Sequence, residues 1–452
     1  MTALVVEPLS PQEFALERTA KVLRVGIIVG VIVAILGFIG AVATSAQASI
    51  NFGSQVSATP GLAGVLRKIL LLSYAGSDDT AVSIITLVGL ANIAAFLITL
   101  VGVRAREIWA VPLPWLVVIG NALLMASFGF TAGAIFIVIA AYGGYSITRI
   151  FRSFRINPVA LKELRGRMRG ARAFVVMSVY LLLMGAFALL MYFVFSAAIS
   201  IGSSVAGEVG RSLFITMVGI ELLLILFIAP ALTSGAVTGE RERQTFDLLR
   251  TTLLSAPTFV MGKLESALAY LLLLLLAAIP LQSLAFLFGG VSEGEILLAF
   301  VILVVTALAL GAIGIYFSTA VQRTVSANLR AYLTVLALMF IVPVIVGIVL
   351  DILGRAFFTA GSALNSPLLE TAFAYANALL TAINPIATAL STQQILIERE
   401  VIGFYPYTLA SSGGTIPMVS PWLLFTLIYL IFAAVLILFT IRRARQPEPE
   451  GE

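Results

Sequence analysis

Between Gly239 and Lys263 the chain reads GERERQTFDLLRTTLLSAPTFVMGK. The stretch is too charged to enter lipid. It separates two apolar runs, Phe214–Ala236 and Leu264–Gly289, each long enough to cross a bilayer, which takes about 20 helical residues. Read as a helix, it has two faces. Phe246, Leu249 and Leu253 recur at i, i+3 and i+7 and make an apolar stripe. Glu240, Arg243, Asp247 and Arg250 gather on the other side, with Arg243 and Asp247 four residues apart and able to pair. Two readings stay open: a surface helix offering an apolar ridge flanked by charge to a partner, or a solvated connector between spans.

Working outward, the same contrast recurs along all 452 residues. The chain is 60% hydrophobic and 11% charged, with a mean hydropathy of +1.10. That composition predicts a polytopic membrane protein. There is no Cys and no His. Disulfides, Cys or His metal sites, His-ligated haem and His acid–base chemistry are thereby excluded, and neither a metal nor a cofactor is expected. The net charge of +5 does not point to nucleic acid, because the basic residues cluster beside the apolar runs.

The expected fold is an all-α polytopic membrane protein of about ten spans. Residues 1–147 hold four of them: Val25–Ala46, Ala81–Val103, and two from a run between Ala110 and Ser146 that turns at Phe128–Gly133. A cleaved signal peptide is the rival reading of the first, since Ala46-Gln47-Ala48 is a small-residue site. The apolar run exceeds the usual h-region of about 7–15 residues, and Glu7, Glu13 and Glu17 are foreign to such a leader. Residues 148–172 are dense in Arg. After Asn157-Pro158, a helix start, the residues Val159, Leu161, Leu164 and Met168 keep near-helical spacing. This predicts an amphipathic helix at the cytoplasmic surface.

Residues 173–445 carry six further spans: Ala173–Ser196, Phe214–Ala236, Leu264–Gly289, Ile296–Ala320, Ala331–Leu350 and Pro421–Ile441. Of 27 Lys and Arg, five (Arg67, Lys68, Arg211, Arg355, Arg399) fall outside in this layout, leaving 22 on one side. The positive-inside rule then puts both termini in the cytoplasm. In the outer segment 353–420, Thr371–Leu390 is nearly long enough to span, but spanning would move Arg442, Arg443 and Arg445 outside, and Asn384-Pro385 breaks a helix. A re-entrant or surface hairpin is expected there, with Tyr405, Tyr407 and Trp422 at the interface. The tail 446–452 is expected to be disordered.

Little in the chain carries chemistry. The one Gly-Lys pair, Gly262-Lys263, lacks the rest of a phosphate-binding loop, with Pro257 and Leu264 where a Gly and a Ser or Thr are needed. Glu221 is the one acid deep in a span. It is either a substrate-path or proton-relay carboxylate or a structural acid bonded between helices; the structural reading is favoured because no second buried partner is evident.

The Glu240–Lys263 stretch resembles the coupling-helix region of permease subunits of type-two ABC exporters. The resemblance rests on Glu240, Arg241, Glu242, Thr245 and Leu249, then Leu254-Ser255, then Gly262-Lys263, with Asn157-Pro158 and Lys162-Glu163 matching the connecting helix before the core. Gln244 stands where that family usually has Gly, and Leu253 where it usually has Pro. The resemblance covers roughly residues 149–445. It implies a permease subunit in a prokaryotic cytoplasmic membrane, working as a dimer with a second copy or a paralogue. A separate ATPase subunit would dock on Glu240, Arg241, Glu242, Arg243, Thr245, Phe246 and Leu249, and the chain itself would not be an enzyme. The alternatives are an ion-coupled secondary transporter, disfavoured by the lack of an internal repeat, and a non-transporting scaffold.

Overall fold

A computed structural model describes residues 11–50, 62–75, 78–150, 157–169, 171–198, 205–245, 255–358, 367–410, 413 and 415–445. The chain is an all-α polytopic membrane protein. Among the described residues, ten helical segments are long and apolar enough to cross a membrane: Glu13–Gly40, Thr80–Ala105, Ile108–Phe128, Ala132–Arg149, Phe174–Val194, Gly207–Glu242, Ala256–Leu287, Glu293–Ala320, Thr324–Arg355 and Pro421–Ala444. Each coincides with one of the apolar runs. Helical hydrogen bonding within each segment satisfies the backbone in lipid, which is why long apolar runs become helices there.

The chain divides into two compact units. One comprises residues 1–156, 355–375 and 406–418; the other comprises 157–354, 376–405 and 419–452. In the first unit, helices α1 (Pro11–Ile50) and α3 (Asp78–Ala105) pack along their length. A side chain at Gly30 would lie 2.8 Å from Ile93, and one at Gly89 would meet the backbone of Ala34 at 2.6 Å. Small residues thus let the two backbones approach, the usual device where helices must associate without a hydrophobic driving force. The short helix α2 (Leu62–Leu70) lies between the first two spans. Helices α4 (Leu113–Phe128) and α5 (Ala132–Arg149) form the expected hairpin, closed at Gly129 with φ +67°. Buried Asn92 and Asn121 exchange amide hydrogen bonds of 3.3 and 2.9 Å, so neither is left unpaired in the apolar interior.

The second unit holds helices α6 (Pro158–Met168), α7 (Ala171–Ala198), α8 (Val205–Ser234), the short α9 (Thr238–Glu242), α10 (Ala256–Leu287), α11 (Glu293–Ala320) and α12 (Thr324–Leu336). A π turn at Ala337–Ile341 joins α12 to α13 (Val342–Phe358). Helix α11 is the most enclosed, packed on α8, α10 and α16 (Pro421–Arg445). The spans Phe174–Val194 and Thr324–Arg355 are the least covered, with 11% of the apolar window buried in each.

Helices α14 (Pro367–Ile383) and α15 (Pro385–Arg399) form the bent pair, turning by 117° at the Asn384-Pro385 break. Asn384 caps α15 by accepting from Ile386 N at 2.9 Å, and donates to Met339 O of the π turn at 2.9 Å. The Tyr429 hydroxyl donates to Ile383 O at 2.6 Å. Backbone groups released by the break are therefore re-satisfied inside the protein. The chain also contains strands β1 (Phe404–Thr408) and β2 (Thr415–Val419), which pair as a two-stranded sheet and which helical periodicity does not foresee. The Trp422 indole donates to Ile402 O at 2.7 Å.

Candidate functional site

The site is built around α6. Asn157 caps this helix, accepting from Val159 N at 3.0 Å, and Pro158 fills the first turn, where a missing N–H costs nothing. The same Asn157 side chain donates to Thr258 O at 2.7 Å and so joins α6 to the start of α10. Helix α10 meets α6 at Gly262, where a Cβ would lie 2.7 Å from both Asn157 Oδ1 and Val159 Cβ. Only a residue without a side chain fits that contact.

The next residue, Lys263, is buried and uses the resulting proximity. Its ammonium lies 2.6 Å from Glu163 Oε1 on α6 and 2.8 Å from Glu240 Oε1 on α9. One cation thus ties three elements that are far apart in sequence. Hydrogen-bonded charge pairs of this length are the strong kind. Arg167, one turn beyond Glu163, donates to Leu232 O at 3.3 Å. Burial lowers the Arg167 pKa from its ordinary value, opposed by Glu163 and Tyr270; a guanidinium remains charged regardless.

Helix α9 is held from the other side as well. Arg241 donates to Val321 O at 2.8 Å, and Glu242 accepts from Thr324 N at 2.7 Å. Ser318 Oγ accepts from Val237 N at 2.8 Å. Thr245 donates to Glu240 Oε2 at 2.5 Å. Of the residues expected at a charged docking rim, Glu240, Arg241, Glu242 and Thr245 therefore bond within the chain, while Arg243 is exposed. Phe246 and Leu249 lie outside the described residues.

The expectation of one helix across Gly239–Lys263 is corrected. Helix α9 ends at Glu242, and Gln244 has φ +58°, in the left-handed region that a helix cannot continue through. Glycine is the residue that adopts this conformation without strain, and here a glutamine holds it. Residues 246–254 are outside the described set. Helix α10 then begins at Ala256, capped by Ser255, and carries Gly262 and Lys263 inside it, not ahead of it.

A second polar cluster lies within the spans. Glu221 of α8 is 1% exposed and accepts from Gln282 Nε2 of α10 at 2.7 Å. Tyr180 of α7 is buried as well, packed with Met217 of α8 and with Leu274 and Ala278 of α10. Glu221 Oε1 and the Tyr180 hydroxyl have no hydrogen-bond partner among the described residues. The Gln282 bond is of the kind the favoured structural reading names, an acid bonded between helices; in the sequence Gln282 stands out as a polar residue two positions after Pro280. Among the described residues, no group of His, Cys, Asp and Glu is placed to hold a metal.

Comparison with family models and with curated proteins returns no match. The site must therefore be read from its own geometry. Its distinctive property is mechanical: a short surface helix, a connecting helix and a span meet at one buried ammonium.

Proposed function

We propose that the chain is the membrane-spanning permease subunit of an ATP-driven exporter, of the type that residues 240–263 resemble. The observation that carries this reading is the Lys263 bridge. A displacement of α9 by a docked partner is passed through Glu240 and Lys263 to α6 and α10 without a flexible link between them. ATP hydrolysis is assigned to a separate ATPase subunit, because the chain has no phosphate-binding loop of its own. A second copy or a paralogue would cover the two sparsely buried spans, Phe174–Val194 and Thr324–Arg355. The arginine asymmetry supports cytoplasmic termini in a prokaryotic inner membrane.

The test is co-expression with a candidate ABC ATPase subunit from the same organism, followed by co-purification and ATPase assay. Phe246→Ala is expected to weaken association by on the order of 2 kcal/mol, as for a buried aromatic anchor. Arg243→Glu is expected to weaken it in a salt-dependent way. Association and stimulated hydrolysis unchanged in both variants would leave the stretch a connector. A second reading, an ion-coupled transporter, draws on the unpartnered Glu221 Oε1 and Tyr180 hydroxyl; uptake or efflux driven by an imposed proton gradient without any ATPase would favour it.

A further inference from the structure

We infer that the outward face of α6 is a binding site for the headgroup of an anionic phospholipid. The two faces of this helix are used differently. Val159, Glu163 and Arg167, spaced i, i+4 and i+8, turn into the protein, where they meet Gly262, Lys263 and the Leu232 carbonyl. Leu161, Arg165 and Met168, spaced i, i+4 and i+7, form the opposite strip and are exposed. Lys162 and Arg169 flank that strip and are exposed too. The one acid of α6, Glu163, is spent on the inner face against Lys263. Arg165 and Arg169 have no ion-pair partner among the described residues.

The place of the strip in the chain decides what it meets. Helix α6 ends at Met168, and α7 begins at Ala171. The apolar span of α7 opens at Phe174, five positions after Arg169, and Phe174, Val175 and Val176 are exposed side chains suited to acyl chains. The two arginines therefore stand just outside the edge of a span, at the level of the headgroups. An exposed leucine and methionine beside guanidiniums without counter-charge fit that layer. The apolar side chains enter the acyl boundary, and the guanidiniums stay among the phosphates. Water would leave Leu161 and Met168 uncovered, and a zwitterionic headgroup would leave the positive charge unbalanced. An anionic phosphodiester offers oxygens in the geometry that a guanidinium fork grips. The site needs no ATPase and is independent of the exporter reading. It extends the expected interfacial helix by naming the face that meets lipid and the headgroup charge that face selects.

A Cβ at exposed Gly166 of α6 would meet nothing within 4 Å, so Gly166→Cys can carry an environment-sensitive fluorophore in a chain with no other cysteine. The labelled full-length protein is reconstituted in phosphatidylcholine vesicles containing brominated phosphatidylglycerol or, at the same mole fraction, brominated phosphatidylcholine. The bromines sit near the headgroup end of the acyl chains, and they quench only at close range, so quenching reports the lipid beside α6. Phosphatidylglycerol is expected to be favoured at least about fivefold, the factor that one basic residue contributes at a membrane surface. Arg165→Gln together with Arg169→Gln should bring the two lipids close to parity, whereas Arg165→Lys with Arg169→Lys should keep most of the preference. Raising the salt should weaken the preference in the protein with both arginines, a reading that stands if the glutamine pair fails to fold. The same label in Gln322→Cys, exposed between α11 and α12 and close to α9, should show a smaller preference. Quenching by neither lipid would place α6 clear of the bilayer and overturn the site. Equal quenching by both would overturn it and leave the face to a protein partner. A preference untouched by the glutamine pair or by salt, or equally large at 322, would overturn it in favour of a diffuse surface charge.

Discussion

Replacing Lys263 by Met removes the cation that Glu163 and Glu240 share. The ammonium lies 2.6 and 2.8 Å from the two carboxylates. At an effective dielectric of about 20, Coulomb's law gives about 6 kcal/mol per contact. Most of that is offset. Burying the ammonium costs several kcal/mol, and the two carboxylates repel one another whether or not the lysine is present. The carboxylate side chains are also 24% and 22% exposed, so water takes over part of the role when the lysine is lost. The net expectation is destabilisation of about 2–3 kcal/mol. For a chain of this size, at about 2 °C per kcal/mol, that is a fall in Tm of about 5 °C. Tryptophan fluorescence during heating in detergent reads it through Trp422, which lies in the same unit as the bridge. The triple variant Lys263→Met, Glu163→Gln, Glu240→Gln leaves no unpaired charge and is expected to recover most of the loss, since neutral replacement of a buried ion group is often nearly neutral in energy. An unchanged Tm in the single variant, or a triple variant as unstable as the single one, would refute the bridge as a structural tie.

Three further outcomes are expected. Gln244→Gly relieves a side chain held at φ +58° and should leave Tm unchanged or raise it, by up to about 1 kcal/mol in stability; a clear loss would show that the glutamine side chain has a role of its own. Gln282→Leu withdraws the donor from buried Glu221 and should cost about 1–3 kcal/mol, whereas Glu221→Gln, which keeps a polar partner for Gln282, should cost less; the reverse order by thermal unfolding would count against the pairing. Because the chain has no Cys, single cysteines can be labelled without background. In intact bacterial cells an impermeant maleimide should reach exposed position 293 and not exposed position 322, and labelling at 322 would invert the orientation derived from the arginines.

The ten spans were readable from the sequence because lipid imposes a single strong demand: an apolar run that satisfies its own backbone. The Asn384-Pro385 break and the Asn157-Pro158 start were readable for local reasons, since proline chemistry acts on its immediate neighbours. The bridge at Lys263 was not. Glu163 and Lys263 are a hundred positions apart, and no periodicity links them. The Gly262-Lys263 pair could be noticed but not interpreted, because the close approach that demands the glycine belongs to a different helix. The single-helix reading of Gly239–Lys263 failed at Gln244, where spacing gives no warning of a left-handed backbone. Helical periodicity was also blind to β1 and β2, whose pairing satisfies backbone groups between strands and leaves no helical stripe.

The junction at Gly262 and Lys263 also has an evolutionary consequence. One position tolerates only the absence of a side chain, and its neighbour is a buried cation that two acids face. Loss of the lysine alone leaves two facing carboxylates without their cation, so it should be fixed together with a change at 163 or 240. Homologues that have lost the lysine should also have lost at least one of the two acids. Those that have gained bulk at 262 should show a reshaped start to the helix at 158. These positions are expected to be inherited as a unit although a hundred residues separate the first from the last.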